Sequence, residues 1–192
     1  AVTPKFSFDN TVDIIGHRGA GGVAPENTRV AIEQAILAGA QWVEIDVQET
    51  ADGEVVVIHD SDLMKIAGVD LKVWDASVEG ITSVDIGTSF HPKFHDERVP
   101  KLQEILELCK GKIGIIIELK SYGHGQMLEQ RVVDLVEASG SVDEVQCMSL
   151  KAGVVAHLKK IRPQWRVGLL LSLAVGDLRK IEADFLAVNA RF

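Results

Sequence analysis

Short apolar runs of strand character alternate with amphipathic stretches of helical period along most of the chain. Thr11–Gly16, Gln41–Val47, Lys112–Leu119, Val145–Leu150, Val167–Leu171 and Phe185–Val188 read as strands. Between the first two, Asn27–Ala38 carries Ala31, Ile32, Ala35 and Ile36 on one face and stops at Gly39. Pro100 opens a second helix, with Leu102, Ile105, Leu106 and Cys109 inward. A third carries Leu128, Val132, Leu135 and Val136, Ala152–Ile161 is a fourth, and a short one lies around Leu178–Ile181. Strands joined by helices pair in parallel through right-handed crossovers, so the expected class is α/β. One return is antiparallel. Asp52-Gly53 signals a hairpin, and Glu54–His59 resumes the strand pattern, which would set Asp46 opposite His59 to within a residue or two.

Leaving that return arm aside, the six strands fall short of a closed eight-stranded barrel, which takes about 250 residues. The chain has 192. The expectation is one domain over 1–192 that lacks the last two β/α units of a barrel; an open sheet, or a partner chain over the gap, is the alternative. Buried-type strands need a neighbour on each side, and two would lack one. Residues 61–99 have no clear period and are too long for a barrel loop, so they read as a small inserted subdomain. Ala1 is preceded by neither Met nor a signal-like segment, the pattern of a domain cut from something longer.

Hydrophobic content of 46% and charged content of 25% are those of a globular protein. The net charge is −8 without any Lys/Arg run, which argues against nucleic acid as a partner. No apolar run approaches the ~20 residues of a membrane span. Cys109 and Cys147 read as two buried free thiols, so the compartment stays open.

Chemistry-bearing residues gather at strand ends, in IIGHRGAGGVAPENT, WVEIDVQETADGEVVVIHD and IIIELK. Glu44 and Asp46 are i and i+2 on a strand and share a face. Two buried carboxylates on one face are costly unless paired or metal-bound. Glu118 can complete a three-oxygen site for a hard divalent cation, Mg²⁺ or Ca²⁺. Pairing to Arg18 and Lys120 is the structural alternative. His17 and His59 each end a strand beside carboxylates, where imidazole serves as general acid or base near neutral pH. Arg18 and Lys120 suit a phosphate group. His91 and His95 read as surface loop and His157 as an exposed helix position. His124 could face the pocket mouth and Trp74 could line a substrate pocket.

HRG, PENT, E-I-D-V, T-x-D-G, VVIHD and IELK occur in order between His17 and Lys120, followed by MSLK and FLAVN. In these motifs the chain resembles the glycerophosphodiester phosphodiesterase family over nearly its whole length. The resemblance implies a phospholipase-C-like (β/α)₈ barrel with an insertion at 61–99. It also implies a divalent cation on Glu44, Asp46 and Glu118, an acid/base pair in His17 and His59, and phosphate held by Arg18 and Lys120. The family's tryptophan-bearing strand and final Gly/Asp-containing strand are missing here. SDLMKIAG, after His59-Asp60, lacks the Arg of soluble members and resembles members whose catalytic domain follows a membrane region.

The implied reaction is hydrolysis of a small glycerophosphodiester to sn-glycerol 3-phosphate and an alcohol. The substrate's 2-hydroxyl loses its proton to one histidine and attacks phosphorus. The other histidine protonates the departing alcohol, and water opens the cyclic phosphate. One alternative is a lysophospholipase D-like enzyme, with Leu63, Met64, Val73 and Trp74 as candidate acyl walls. Another is a non-catalytic domain that binds glycerol phosphate.

Overall fold

The computed structural model describes residues 12–171 and 182–188. In chain order they form β1 (Ile15–His17), α1 (Arg29–Leu37), β2 (Trp42–Glu49), β3 (Val55–Val57), β4 (Asp62–Leu63), α2 (Met64–Ala67), β5 (Val69–Lys72), α3 (Val78–Thr82), α4 (Leu102–Cys109), β6 (Gly114–Leu119), α5 (Leu128–Ser139), β7 (Val145–Ser149), α6 (Ala152–Ile161), β8 (Val167–Leu171) and β9 (Phe185–Val188). Six strands run parallel in the order β1-β2-β6-β7-β8-β9, and β3 pairs antiparallel with the end of β2. Among the described residues β1 and β9 are the edges of this arc. The helix expected around Leu178–Ile181 lies outside the described residues.

Alternation along the strands divides the sheet into two chemistries. Val43, Ile45 and Val47 of β2 and Ile115, Ile117 and Leu119 of β6 enter a core shared with Ile32, Leu106, Val132 and Leu158 of the helices. Trp42, Glu44, Asp46 and Gln48, at the alternate positions of β2, take the opposite, inner face. Two parallel pairs there depend on glycine. Trp42 lies opposite Gly114 and Phe185 opposite Gly168. A Cβ on Gly114 would stand 2.3 Å from the Trp42 ring, and one on Gly168 would stand 2.2 Å from the Phe185 ring.

Thr28 caps α1: its Oγ1 accepts from Ala31 N at 3.3 Å and donates to Pro25 O at 2.6 Å. The helix therefore begins at Arg29, two residues later than the periodicity suggests. The hairpin register lies one residue from the Asp46–His59 pairing, within the expected range. Thr50 N donates to Glu54 O at 2.9 Å, closing a three-residue loop, Ala51 to Gly53, with Gly53 at φ +86°. A two-residue Asp-Gly turn would pair Ala51 with Glu54 instead. The extra loop residue sets Val47 opposite Val57, and Ile58 N donates to Asp46 O at 2.9 Å. Ile58, not His59, is thus the residue facing Asp46 across the ladder.

Residues 61–99 wrap a second apolar cluster of Leu63, Val73, Ala76, Ile81, Ile86 and Val99, completed by Val56 and Ile58 from β3 and the residue after it. The segment is thus bound to the sheet through β3. Leu63 and Val73 are fully buried there, so they cannot wall an acyl groove.

Cys109 and Cys147 are buried, and desolvation pushes each thiol up to about 12. The thiolate is the reactive form. Native protein at pH 8 should therefore leave both unmodified by iodoacetamide over an hour, with two alkylations after guanidinium unfolding. Rapid native labelling of either would contradict this packing.

Candidate active and metal site

Strand register assembles the site. His17 lies opposite Glu44 across β1 and β2, and Asp46 opposite Glu118 across β2 and β6. The three carboxylates, all buried, bring oxygens within 4.8 Å of one another. Parallel pairing alone thus converts an i, i+2 pattern and a distant Glu into one cluster.

After His17 the chain turns sharply, because Arg18 (φ 55°) and Gly19 (φ 77°) both adopt the left-handed conformation. Gly19 fits because a Cβ there would stand 2.7 Å from the Ala31 backbone. Arg18 bears the strain of a non-glycine residue in that region. The turn sends the Arg18 backbone N to Glu44 Oε2 at 3.1 Å, its Nε to 3.3 Å from Asp46 Oδ2 and its Nη1 to Glu26 Oε1 at 2.9 Å. Asn27, also left-handed at φ 59°, donates from Nδ2 to Asp46 Oδ2 at 2.9 Å and accepts from Asp46 N at 3.2 Å. Lys120 Nζ lies 2.7 Å from Glu118 Oε1 and 3.2 Å from Asp46 Oδ1.

These charges are close but imperfectly satisfied. Asp46 Oδ1, Glu118 Oε1 and Arg18 Nε are buried without an aligned hydrogen-bond partner. Burial, reinforced by the Asp46 charge, pushes Glu44 up to about 8. Burial also raises Glu118. Burial lowers Lys120, but the Asp46 and Glu118 carboxylates outweigh it and its pKa rises. Buried oxygens lacking aligned donors, and a carboxylate that holds its proton against its neighbours, fit a site for a divalent cation.

The linkage has a definite sign. Glu44 has a folded pKa above its unfolded value, so its contribution to stability is complete at low pH and is lost as pH rises toward 8. Partial desolvation of the ring and the Arg18 charge lower His17, which opposes this trend only around its usual 6.5. Cation-free protein should therefore melt at a lower temperature at pH 8 than at pH 6.5, and Glu44→Gln should flatten the slope. A melting temperature that rises across that interval in chelator would contradict the burial of Glu44.

The His17 side chain is 76% exposed, with Nε2 3.8 Å from Glu44 Oε2. His59 follows β3, half-buried, with Nδ1 2.6 Å from Asp60 Oδ1. On the inner face of the arc a cleft of about 460 Å³ is lined by His17, Trp42, Glu44, Ile116, Met148 and Phe185 among others.

The other candidates separate. His91 and His95 are exposed on the insertion, and His157 pairs with Glu129 at 3.4 Å on a helix surface. His124 stacks on Trp74 with ring centroids 4.0 Å apart and planes at 9°. Arg18 and Lys120 are both engaged with carboxylates rather than free in the cleft. Glu26 and Asn27 stand in the PENT motif without an assigned role, and Gln48 and Tyr122 are assigned none. Only Asn27 carried a local conformational signal, since asparagine tolerates the left-handed conformation.

Comparison with known proteins gives a consistent result. The model of the glycerophosphoryl diester phosphodiesterase family matches residues 17–190. A glycerophosphodiester phosphodiesterase of Caldanaerobacter subterraneus is 35% identical over 162 residues, 82% of this chain and 65% of that protein. The crystal structure of a glycerophosphodiester phosphodiesterase from Agrobacterium tumefaciens superposes with a TM-score of 0.80 at 32% identity, covering 93% of this chain and 76% of that one. An Oleispira antarctica phosphodiesterase in complex with the product sn-glycerol-3-phosphate superposes with a TM-score of 0.87 at 25% identity, covering 92% and 74%. The parallel arc is thus part of an α/β barrel of this type. The chain spans 51% to 65% of the length of the curated relatives it matches first.

Proposed function

The chain belongs to the glycerophosphoryl diester phosphodiesterase family, and from that premise we propose that it hydrolyses small glycerophosphodiesters to sn-glycerol 3-phosphate and an alcohol with the help of a divalent cation. The observation that carries the reading is the convergence of Glu44, Asp46 and Glu118 between His17, Arg18 and Lys120. The product bound to the Oleispira antarctica relative supports the glycerol phosphate half of the substrate.

Glu44, Asp46 and Glu118 would hold the cation, which when bound would supply positive charge beside the phosphoryl oxygens. Arg18 and Lys120, already at the cluster, bind the phosphate oxygens. One of His17 and His59 removes the proton of the glycerol 2-hydroxyl as that oxygen attacks phosphorus. The bond from phosphorus to the alcohol oxygen breaks, and the other histidine protonates the departing alcohol. Water then attacks phosphorus, the bond from phosphorus to the 2-oxygen breaks, and that oxygen regains a proton, leaving glycerol 3-phosphate. Mg²⁺ and Ca²⁺ both suit an all-oxygen ligand set.

Phosphorus NMR of glycerophosphocholine with the protein tests this. Glycerol 3-phosphate should accumulate, stop with chelator and resume with Mg²⁺ or Ca²⁺. Full turnover after exhaustive chelation would refute the cation. Preference for lysophosphatidylcholine would favour the lysophospholipase D-like alternative. Binding of glycerol phosphate without turnover would favour a non-catalytic domain.

A further inference from the structure

His59 stands on irregular backbone. β3 ends at Val57, and β4 does not begin until Asp62. The last backbone link to β2 is the Ile58 N to Asp46 O bond. An acid/base group must be held to within about 0.5 Å, and a loop does not provide this unaided.

Two side chains from different elements grip this backbone. Gln48 lies two residues beyond Asp46 on the same face of β2 and is 3% exposed. Its Nε2 donates to the carbonyls of Ile58 at 3.0 Å, His59 at 3.0 Å and Asp60 at 2.7 Å. Three converging carbonyls require the NH₂ rather than the oxygen of the amide to face them, with its two protons shared. From the loop after β6, Tyr122 Oη donates to the same His59 carbonyl at 2.7 Å. Tyr122 follows the phosphate candidate Lys120 by two residues. Its ring lies 6.3 Å from Trp74 of the insertion, which in turn stacks on His124 of the Tyr122 loop. Asp60 takes Nδ1 of the imidazole, which leaves Nε2 for a reacting group.

The Tyr122 bond adds little stability. The side chain is 44% exposed, and a hydroxyl that could bond water gains little by bonding a carbonyl instead. Its value lies in where it holds His59. We propose that Gln48 and Tyr122 are positioning residues that clamp the His59 carbonyl from two sides and so set the imidazole against the phosphate site. The proposal rests on the reading of His59 as an acid/base group.

Tyr122→Phe removes the hydroxyl and keeps the ring. With glycerophosphocholine, kcat should fall about fivefold to tenfold, the scale of one hydrogen bond, with KM within twofold and the melting temperature unchanged. Because the residue acts through His59, the loss should disappear in a His59→Ala background. Gln48→Leu should cost more in both kcat and melting temperature. Wild-type kcat in Tyr122→Phe, or a loss that persists undiminished in His59→Ala, overturns the clamp. If His59→Ala itself turns over normally, it is the role of His59 that fails. The clamp is then decided by ring-nitrogen NMR. One sharp His59 environment that broadens or splits in Tyr122→Phe supports it, and signals unchanged by the substitution overturn it.

Discussion

His17→Ala and His59→Ala should each lower release of choline from glycerophosphocholine by about 10²–10⁴-fold, the usual contribution of one acid/base group. The melting temperature of His17→Ala should not move. Its side chain is 76% exposed and approaches Glu44 only at 3.8 Å, so truncation removes almost no packing. His59→Ala loses the contact with Asp60, a half-buried pair, at small cost. Steady-state kinetics with a parallel thermal melt separate the chemical effect from the structural one. Normal turnover in both variants would sink the acid/base assignment.

Asp46 carries the largest combined effect. It is fully buried and faces Arg18 and Lys120, with Asn27 bonding both its carboxylate and its backbone N. Asp46→Ala removes a candidate ligand and breaks a buried charge cluster. Breaking such a pair costs about 3–5 kcal/mol. The lower end, about 3 kcal/mol, is expected because Glu26 still faces Arg18 and Glu118 still faces Lys120. The melting temperature should drop by roughly 6–12 °C, and turnover should fall below detection. Asp46→Asn keeps the shape and should lose the activity with a smaller drop in stability. A stable, fully active Asp46→Ala would remove Asp46 from the site.

The strand and helix alternation was legible because apolar period differs between β2 and α4, which the structure places where the pattern suggested. The carboxylate cluster was legible for the same reason. Glu44 and Asp46 must share a face, and Glu118 ends a neighbouring buried strand. The hairpin register was legible only to within a residue, because Asp52-Gly53 fits a two-residue turn and a three-residue loop equally well. Choosing between them moves His59 off the position facing Asp46. The supporting residues were also hidden. PENT marks Glu26 but not its partner Arg18, while Gln48 and Tyr122 act through contacts 10 to 63 residues away in sequence, and neither has a local pattern that announces this. Of the walls expected of an acyl groove, Leu63 and Val73 are taken up by the insertion's own core, while Met64 is exposed and Trp74 half-buried.

The central claim is that one hard cation sits among Glu44, Asp46 and Glu118. A crystal soaked in Mn²⁺, which shares the oxygen preference of Mg²⁺ and Ca²⁺, tests it through the anomalous signal. The account predicts one strong peak bonded to an oxygen of each carboxylate, at roughly the 2.0–2.6 Å of such ligands. A map with no peak there, and Lys120 still paired to Asp46 and Glu118, would contradict it.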